Sequence, residues 1–433
     1  MRRRTAHPHP LAPEPFSLRR IAIPAYGPSL LFGIGEGAIL PIVPLSARQL
    51  GASVSEAALV VTLIGIGSLI SNVPASLITM RRGERWALVA AALWCALAMA
   101  LGGTTGRFVV FAAACFMIGM SQAVFSLARQ SFLAQAVPPA FRARALSTLG
   151  GSMRIGLFIG PFAAAAAIHR WGLVGAYGVG IAALLLAGAV GARLPELRCE
   201  PAGEAAAAPA PGVRTILRER RHVLLTLGIG VMLVSAVRAT RQAVIPLWAD
   251  HLGLAPSVAA LIYGVAGGID MLMFYPSGHL MDLKGRRWVA VPSMLVMGAA
   301  LLATPLAHGA TALMIAAAAI GFGNGIGSGM VMTLGADHSP RSGRAHFLGV
   351  WRLMSDLGAT AGPALLSLLA AAATLGTGIA VTGLIAVAAA AQLAYWIPRA
   401  RCGVRRRGGP TGRGHRPAPR HVRARAGPSR FSN

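Results

Sequence analysis

Residues 277–288 read SGHLMDLKGRRW, and residues 75–86 read ASLITMRRGERW. Both lie between long apolar runs. Both pass from small residues through an apolar turn into a basic cluster closed by Gly, Arg and Trp. Gly285 follows Gly83 by 202 residues, and Trp288 follows Trp86 by the same 202. Carried along the chain, that offset sets Pro246-Leu247 on Pro44-Leu45, Leu252-Gly253 on Leu50-Gly51, and Pro276 on Pro74. Beyond the basic loop it sets Gly321 on Gly119, Pro340 on Pro138, Arg344-Ala345 on Arg142-Ala143, and Gly358, Gly362 and Pro363 on Gly156, Gly160 and Pro161. Chance supplies apolar matches between two greasy segments, but not matched Pro, Gly and Arg. The chain reads as a duplicated unit.

Composition says what kind of unit. Of 433 residues, 55% are hydrophobic and only 12% charged, where a soluble domain carries roughly twice that charged share. Several apolar segments reach the roughly 20 residues needed to cross a bilayer as a helix. In the first half they fall at about 22–46, 54–80, 86–103, 107–133, 145–168 and 172–193; in the second, at about 223–249, 256–281, 288–307, 310–334, 346–373 and 375–397. The fold class expected is therefore an all-α polytopic membrane protein, with twelve transmembrane helices in two pseudo-symmetric six-helix bundles. Its organisation is a basic arm (1–20), a first bundle (21–193), a linker (194–222) rich in Ala, Pro and charge, a second bundle (223–397) and a basic Arg/Gly/Pro-rich tail (398–433) that cannot form a core.

The net charge of +27 does not point to nucleic acid. The basic residues gather at both ends and in short loops, without the interleaved aromatics of a single-strand binder, and Lys284 is the only lysine. That distribution suits orientation in an anionic membrane. With both termini cytoplasmic, the arm, Arg81, Arg82, Arg85, Arg142, Arg144, the linker arginines, Lys284, Arg286, Arg287, Arg341, Arg344 and the tail all lie inside, and only Arg48, Arg107 and Arg170 lie outside. A multi-pass protein of the cell membrane is expected. The arm lacks the apolar core of a cleavable signal. Cys95, Cys115, Cys199 and Cys402 are widely spaced, which indicates neither a metal site nor a disulfide framework. No cofactor is expected.

Parallel six-span repeats are one architecture of secondary transporters, and the loop motif narrows it. Gly278, Asp282, Gly285, Arg286 and Arg287 follow the pattern Gly-x-x-x-Asp-Arg/Lys-x-Gly-Arg-Arg/Lys found between spans two and three, and again between eight and nine, of the major facilitator superfamily. Leu283 departs from it, with Lys284 offset by one. In the first-half copy Ser76 stands for the Gly, Met80 for the Asp, and Glu84 occupies a basic position. Over residues 20–397 the chain resembles that superfamily. The resemblance implies alternating access between the two bundles, with substrate bound near the midplane between spans 1, 4, 7 and 10, and a gating role for the loop. It suggests Asp282 as half of a cytoplasmic latch with Arg142 or Arg144. In span five, Gly156, Gly160 and Pro161 match part of a helix-bend motif of the superfamily's antiporters, with Ala164 and Ala165 in place of its last glycines. A basic residue expected within span four of many exporters is missing, the nearest aligned position being Cys115.

Ionisable residues within spans are costly and usually functional. Glu36 lies about four turns into span one, and Arg238 stands 202 residues later in span seven. Arg241 follows nearly one turn on. Two cations on one face need an acid or a bound anion, and Glu36 is the symmetry-related candidate. Asp270 lies midway along span eight and Arg154 in span five, while Arg352 and Asp356, four apart in span eleven, suit an intramembrane pair. Glu36 and Asp270 are the candidates for proton coupling. Gln122, Arg238, Arg241, Gln242 and Asn324 are the candidates for the substrate cavity. Gly321, Gly325 and Gly329 fall on one helix face and suit close packing beside it.

The expected function is proton-coupled efflux of a small organic compound, with protons and membrane lipids as the other partners, no nucleic acid, and a monomer as the working unit. The alternative is proton-coupled uptake of an anionic metabolite, suggested by the paired arginines. A non-transporting membrane sensor or scaffold is the alternative from another class; no acid–base, nucleophile or metal constellation suggests an enzyme.

Overall fold

A computed structural model describes residues 18–137, 139–194, 213–340 and 343–407. Every regular element among them is helical. The first half comprises α1 (Leu18–Ile39), α2 (Val43–Gln49), α3 (Val54–Thr104), α4 (Phe108–Ala136), α5 (Pro139–Trp171) and α6 (Leu173–Gly191). The second comprises α7 (Val213–Val223), α8 (Ile229–His251), α9 (Pro256–Lys284), α10 (Arg287–Ala303), α11 (Ala310–Ile326), α12 (Met330–His338), α13 (Arg344–Ala372) and α14 (Leu375–Arg407). Eleven helices are long and apolar enough to cross a membrane, and α3, at 51 residues, holds two spans. Its halves meet at Gly83, whose φ of +79° breaks the helix. Gly285, its equivalent, has φ +91° and ends α9. Glycine takes this conformation at little cost, so both basic loops turn at the same place. The fold is twelve spans in two halves of six.

The offset of 202 recurs in the packing. A Cβ on Gly119 would strike the Ile64 carbonyl, and one on Gly321 the carbonyl of Ala266. Gly156 and Gly160 of α5 press on the α1 backbone at Leu30 and Ile34, and Gly358 and Gly362 of α13 press on α8 at Met232 and Ala236. Each pair is the other moved by 202 residues. Apolar burial cannot drive association within lipid, so close backbone approach through small residues holds such helices together. Leu93, Leu97, Leu185, Leu186, Leu261 and Leu272 remain exposed, as a lipid-facing belt requires.

Local chemistry sets several ends. Ser53 and Glu56 form a capping box at the start of α3: the Ser53 hydroxyl accepts from the Glu56 amide, and the Glu56 carboxylate accepts from the Ser53 amide at 2.7 Å. At the equivalent place in α9, Pro256 in the first helical turn serves instead.

Three elements differ from expectation. Span one is interrupted at Leu40–Ile42, where Pro41 cannot continue the helix. The end of the linker is helical, since α7 runs through a π-helical turn, Leu224–Gly228, into α8; Ile216 is buried while the surrounding basic residues face outward. Span ten is broken: α11 ends at Ile326 and α12 begins at Met330, with Gly329 at φ +79°. Gly329 therefore does not continue the packing face of Gly321 and Gly325.

Side-chain bonds also join the halves on the face opposite the basic loops. Arg48 Nε donates to Asp250 Oδ2 at 3.0 Å, and the Ser367 hydroxyl donates to the Ser55 carbonyl at 2.8 Å. Arg48 and Asp250 are themselves 202 apart. Equivalent residues touch on one face only when the repeats are parallel and the axis relating them passes close by. An inverted repeat would put them on opposite faces.

Candidate functional site

Between the halves lies a cavity of about 340 Å³. Glu36 of α1, Arg129 of α4 and Met153, Arg154, Leu157 and Phe158 of α5 line it from the first half; Arg241 and Gln242 of α8, Tyr263, Asp270 and Met271 of α9, and Asn324 of α11 line it from the second. Asp270 is the hub. Its Oδ1 accepts from Arg154 Nη1 at 3.3 Å, and its Oδ2 accepts from Arg241 Nη2 at 3.3 Å and Asn324 Nδ2 at 2.7 Å. Arg154 reaches it from the other half. The same guanidinium bonds the Ser328 hydroxyl in the break of span ten and lies 4.6 Å over the Phe274 ring.

The expected pairing of Glu36 with Arg238 or Arg241 does not occur. Glu36 Oε1 accepts from Gln122 Nε2 at 3.0 Å, while Arg238 Nη2 donates to the Asn324 carbonyl at 3.0 Å. These two bonds are equivalents, since Gln122 and Asn324 are also 202 apart. The repeat thus joins the symmetry-related residues within each half, not across the gap. The break at Gly327 explains the second bond. It frees the last carbonyls of α11, which the Ser293 hydroxyl (to Gly323, 2.6 Å), the Ser277 hydroxyl (to Ile326) and Arg238 satisfy. A Cβ at Gly327 would lie 2.7 Å from Arg238 Nη2. Arg238 is a helix cap and, unlike Arg241, does not line the cavity.

Gln122 and Gln242 face a second, smaller pocket of about 160 Å³ that also touches Asp356 and Thr360. Asp356 accepts from Asn72 of the first half at 3.2 Å, and its pair with Arg352 is long, at 3.8 Å. Arg129, Arg154, Tyr263 and Phe158 line the cavity beyond the candidates that the sequence suggests for it. Arg129 puts a base in span four, but well beyond Cys115, the place where many exporters of the superfamily carry one. It stands seven residues beyond Gln122, two turns along one helix face, and that spacing was the signal available for it.

The loop motif ties helices together inside each half. Arg286 Nε and Nη2 donate to Asp337 at 3.0 and 3.4 Å, while Asp282 lies 3.5 Å from Arg286 and is 81% exposed. In the first half, Glu84 takes the place of Arg286 and accepts from Ser131 at 2.9 Å and from Gln135; Gln135 takes the place of Asp337. The acid at position 84 is thus matched by a donor on its partner. A Cβ at Gly278 meets nothing within 4 Å, and Arg287 is exposed at the start of α10. The side chains of Arg142 and Arg144, the expected latch partners of Asp282, lie outside the described residues.

The family model of the Major Facilitator Superfamily matches residues 29–282 and 227–426. No curated protein matches by sequence. Among solved structures, the chain is similar to a bacterial homologue of the human lysosomal transporter Spinster in an inward-facing, unoccupied conformation, with TM-score 0.72 and 15% identity over 89% of this chain and 98% of that one. It is similar to the inward-open xylose transporter XylE from E. coli, with TM-score 0.67 and 18% identity over 88% and 97%. It is also similar to the nucleoside transporter NupG, with TM-score 0.68 and 11% identity over 87% and 99%. At these identities the likeness is one of fold. Two parallel six-span halves, the basic loop turned by glycine in each, and a family match across most of the length make this chain a member of the major facilitator superfamily.

Proposed function

We propose that this chain is a secondary active transporter that works by alternating access and carries a small organic anion together with a proton. The observation that carries this reading is the charge of the cavity wall. Three guanidiniums (Arg129, Arg154, Arg241) face two carboxylates (Glu36, Asp270), so the empty cavity holds one unit of positive charge. Protonating either acid adds to that charge. A proton and an anion therefore favour each other's binding, and the reciprocal coupling leads to symport. A proton and a cation would compete, which leads to antiport. The cavity thus favours the uptake alternative over the efflux expected from span five. The motif behind that expectation, Gly156, Gly160 and Pro161, packs α5 on α1 as its counterpart packs α13 on α8, so its structural role is common to both halves.

In the same reading the chain sits in the cell membrane as a monomer, with the basic loops and both termini cytoplasmic. The joined ends at Arg48–Asp250 are then extracellular, and the conformation is closed to the outside. Glu36 is the proton carrier. Apart from Gln122 it faces Arg129 of α4 and, across the cavity, Arg154, Arg241, Tyr263 and Asp270. Asp270, with two guanidiniums on it, is the structural acid.

Proteoliposomes containing a pH-sensitive dye test the coupling. Adding small organic anions outside should acidify the lumen faster than in protein-free liposomes, which report passive entry of the free acid. Alkalinisation on adding organic cations, with no response to anions, would replace this reading with cation–proton antiport.

A further inference from the structure

Arg129 differs from the other cations of the cavity. Arg154 and Arg241 are both committed to Asp270, and Arg238 is turned onto the Asn324 carbonyl. Glu36, which shares the cavity wall with it, accepts its hydrogen bond from Gln122. Arg129 keeps Nε and Nη1 buried with no hydrogen-bond partner, although its side chain lines the cavity. A guanidinium has only donors to offer, and leaving buried donors unmet is unfavourable. It is a half-made contact that waits for an acceptor.

We infer that Arg129 anchors the anionic group of the substrate, and that the substrate is a small amphipathic monocarboxylate. The inference rests on the anion-symport reading and adds to it the residue and the ligand class. A carboxylate supplies acceptor oxygens that match the guanidinium in charge and geometry. Arg154 and Arg241 are taken by Asp270, so Arg129 is the one guanidinium of the wall with donors to spare; it anchors a single carboxylate, and the second charge of a dianion such as a dicarboxylate would face the apolar wall. Met153, Leu157, Phe158 and Met271 form the apolar part of the wall, which suits a short aliphatic or aromatic body. A volume of about 340 Å³ lies at the small end of ligand pockets, which run from roughly 300 to 1,000 Å³.

The test is binding to the purified full-length protein by isothermal titration, with benzoate and octanoate as monocarboxylates, benzamide as the neutral isostere of benzoate, and succinate and inorganic phosphate as dianions. Wild type should bind a monocarboxylate and not benzamide, with the dianions at least about tenfold weaker, or about 1.4 kcal/mol. Arg129→Gln should weaken monocarboxylate binding by about tenfold or more, and Arg129→Lys, which keeps the charge, should restore part of it. The melting temperature of each variant without ligand reports whether the fold is kept. If Arg129→Gln fails to fold, the comparison of carboxylate with amide on wild type and on Arg129→Lys still decides. Equal binding of benzamide and benzoate, wild-type affinity in a folded Arg129→Gln, or no binding of any monocarboxylate would overturn the inference. Proton-coupled flux of succinate or phosphate with no monocarboxylate binding would leave anion symport standing and remove this ligand class alone.

Discussion

Asp270 takes one guanidinium from each half of the molecule and an amide from Asn324, so its charge holds the cavity together. Asp270→Asn would leave Arg154 and Arg241 side by side without a counterion. Removing one partner of a buried ion pair typically costs about 3–5 kcal/mol, and the partial exposure of Arg154 (28%) places the expected loss at the lower end. The variant should melt well below wild type, and Asp270→Glu should recover part of the difference. Asp356→Asn makes the contrast. Its partner Arg352 is half exposed and 3.8 Å away, so the expected loss is under about 1 kcal/mol. The sequence marks Glu36, Arg154, Arg238, Arg241, Asp270, Arg352 and Asp356 as charges inside spans, and five of these seven face the cavity or its neighbouring pocket, Arg238 and Arg352 being the exceptions. It misassigned the partner of Glu36 because two residues equivalent under a repeat need not touch. Arg129 is not marked by the family pattern, whose place in span four falls at Cys115, well before it along the helix; only the packing of α4 brings it to the cavity wall.

At the scale of elements, the spans were legible because apolar length and glycine or proline punctuation act locally. Gly83 and Gly285 turn the chain where the basic loops were read. The breaks were not legible. Stretch 321–329 contains five glycines, and such a run is compatible with a continuous helix packed closely or with an interruption. What decides is packing against other chain segments. In the first half, Phe32 stacks on Phe125 with ring centroids 3.8 Å apart, filling the space between α1 and α4. Their equivalents, Val234 and Gly327, leave that space open, and Arg238 and Ser293 enter it to bind the carbonyls of an ended helix. Polar side chains commonly satisfy backbone groups at such interruptions within membranes. The two halves therefore share a plan and differ at the helix that borders the cavity, a difference visible only once both halves are packed.

For the whole molecule, the repeat in the sequence carried most of the architecture, and the conformation was the part it left open. Arg48–Asp250 and Ser55–Ser367 join the halves on one face, and rocking about the central cavity must break them. Arg48 and Asp250 are each about one-third exposed, so the pair contributes at most about 1 kcal/mol, enough to shift a two-state population roughly fivefold. Arg48→Asp should raise the labelling of a cysteine placed on that side of the cavity, and adding Asp250→Arg should return labelling toward wild type. Unchanged labelling in the single variant would mean that the pair does not bias the equilibrium. The central claim is that a proton on Glu36 and an anion cross together. It is tested most directly by accumulation of a labelled organic anion in proteoliposomes under an imposed pH gradient, in wild type and in Glu36→Gln. The account predicts accumulation above equilibrium in wild type, its collapse on adding a protonophore, and exchange without accumulation in Glu36→Gln. Accumulation in Glu36→Gln equal to wild type, or wild-type accumulation unaffected by the protonophore, would contradict it.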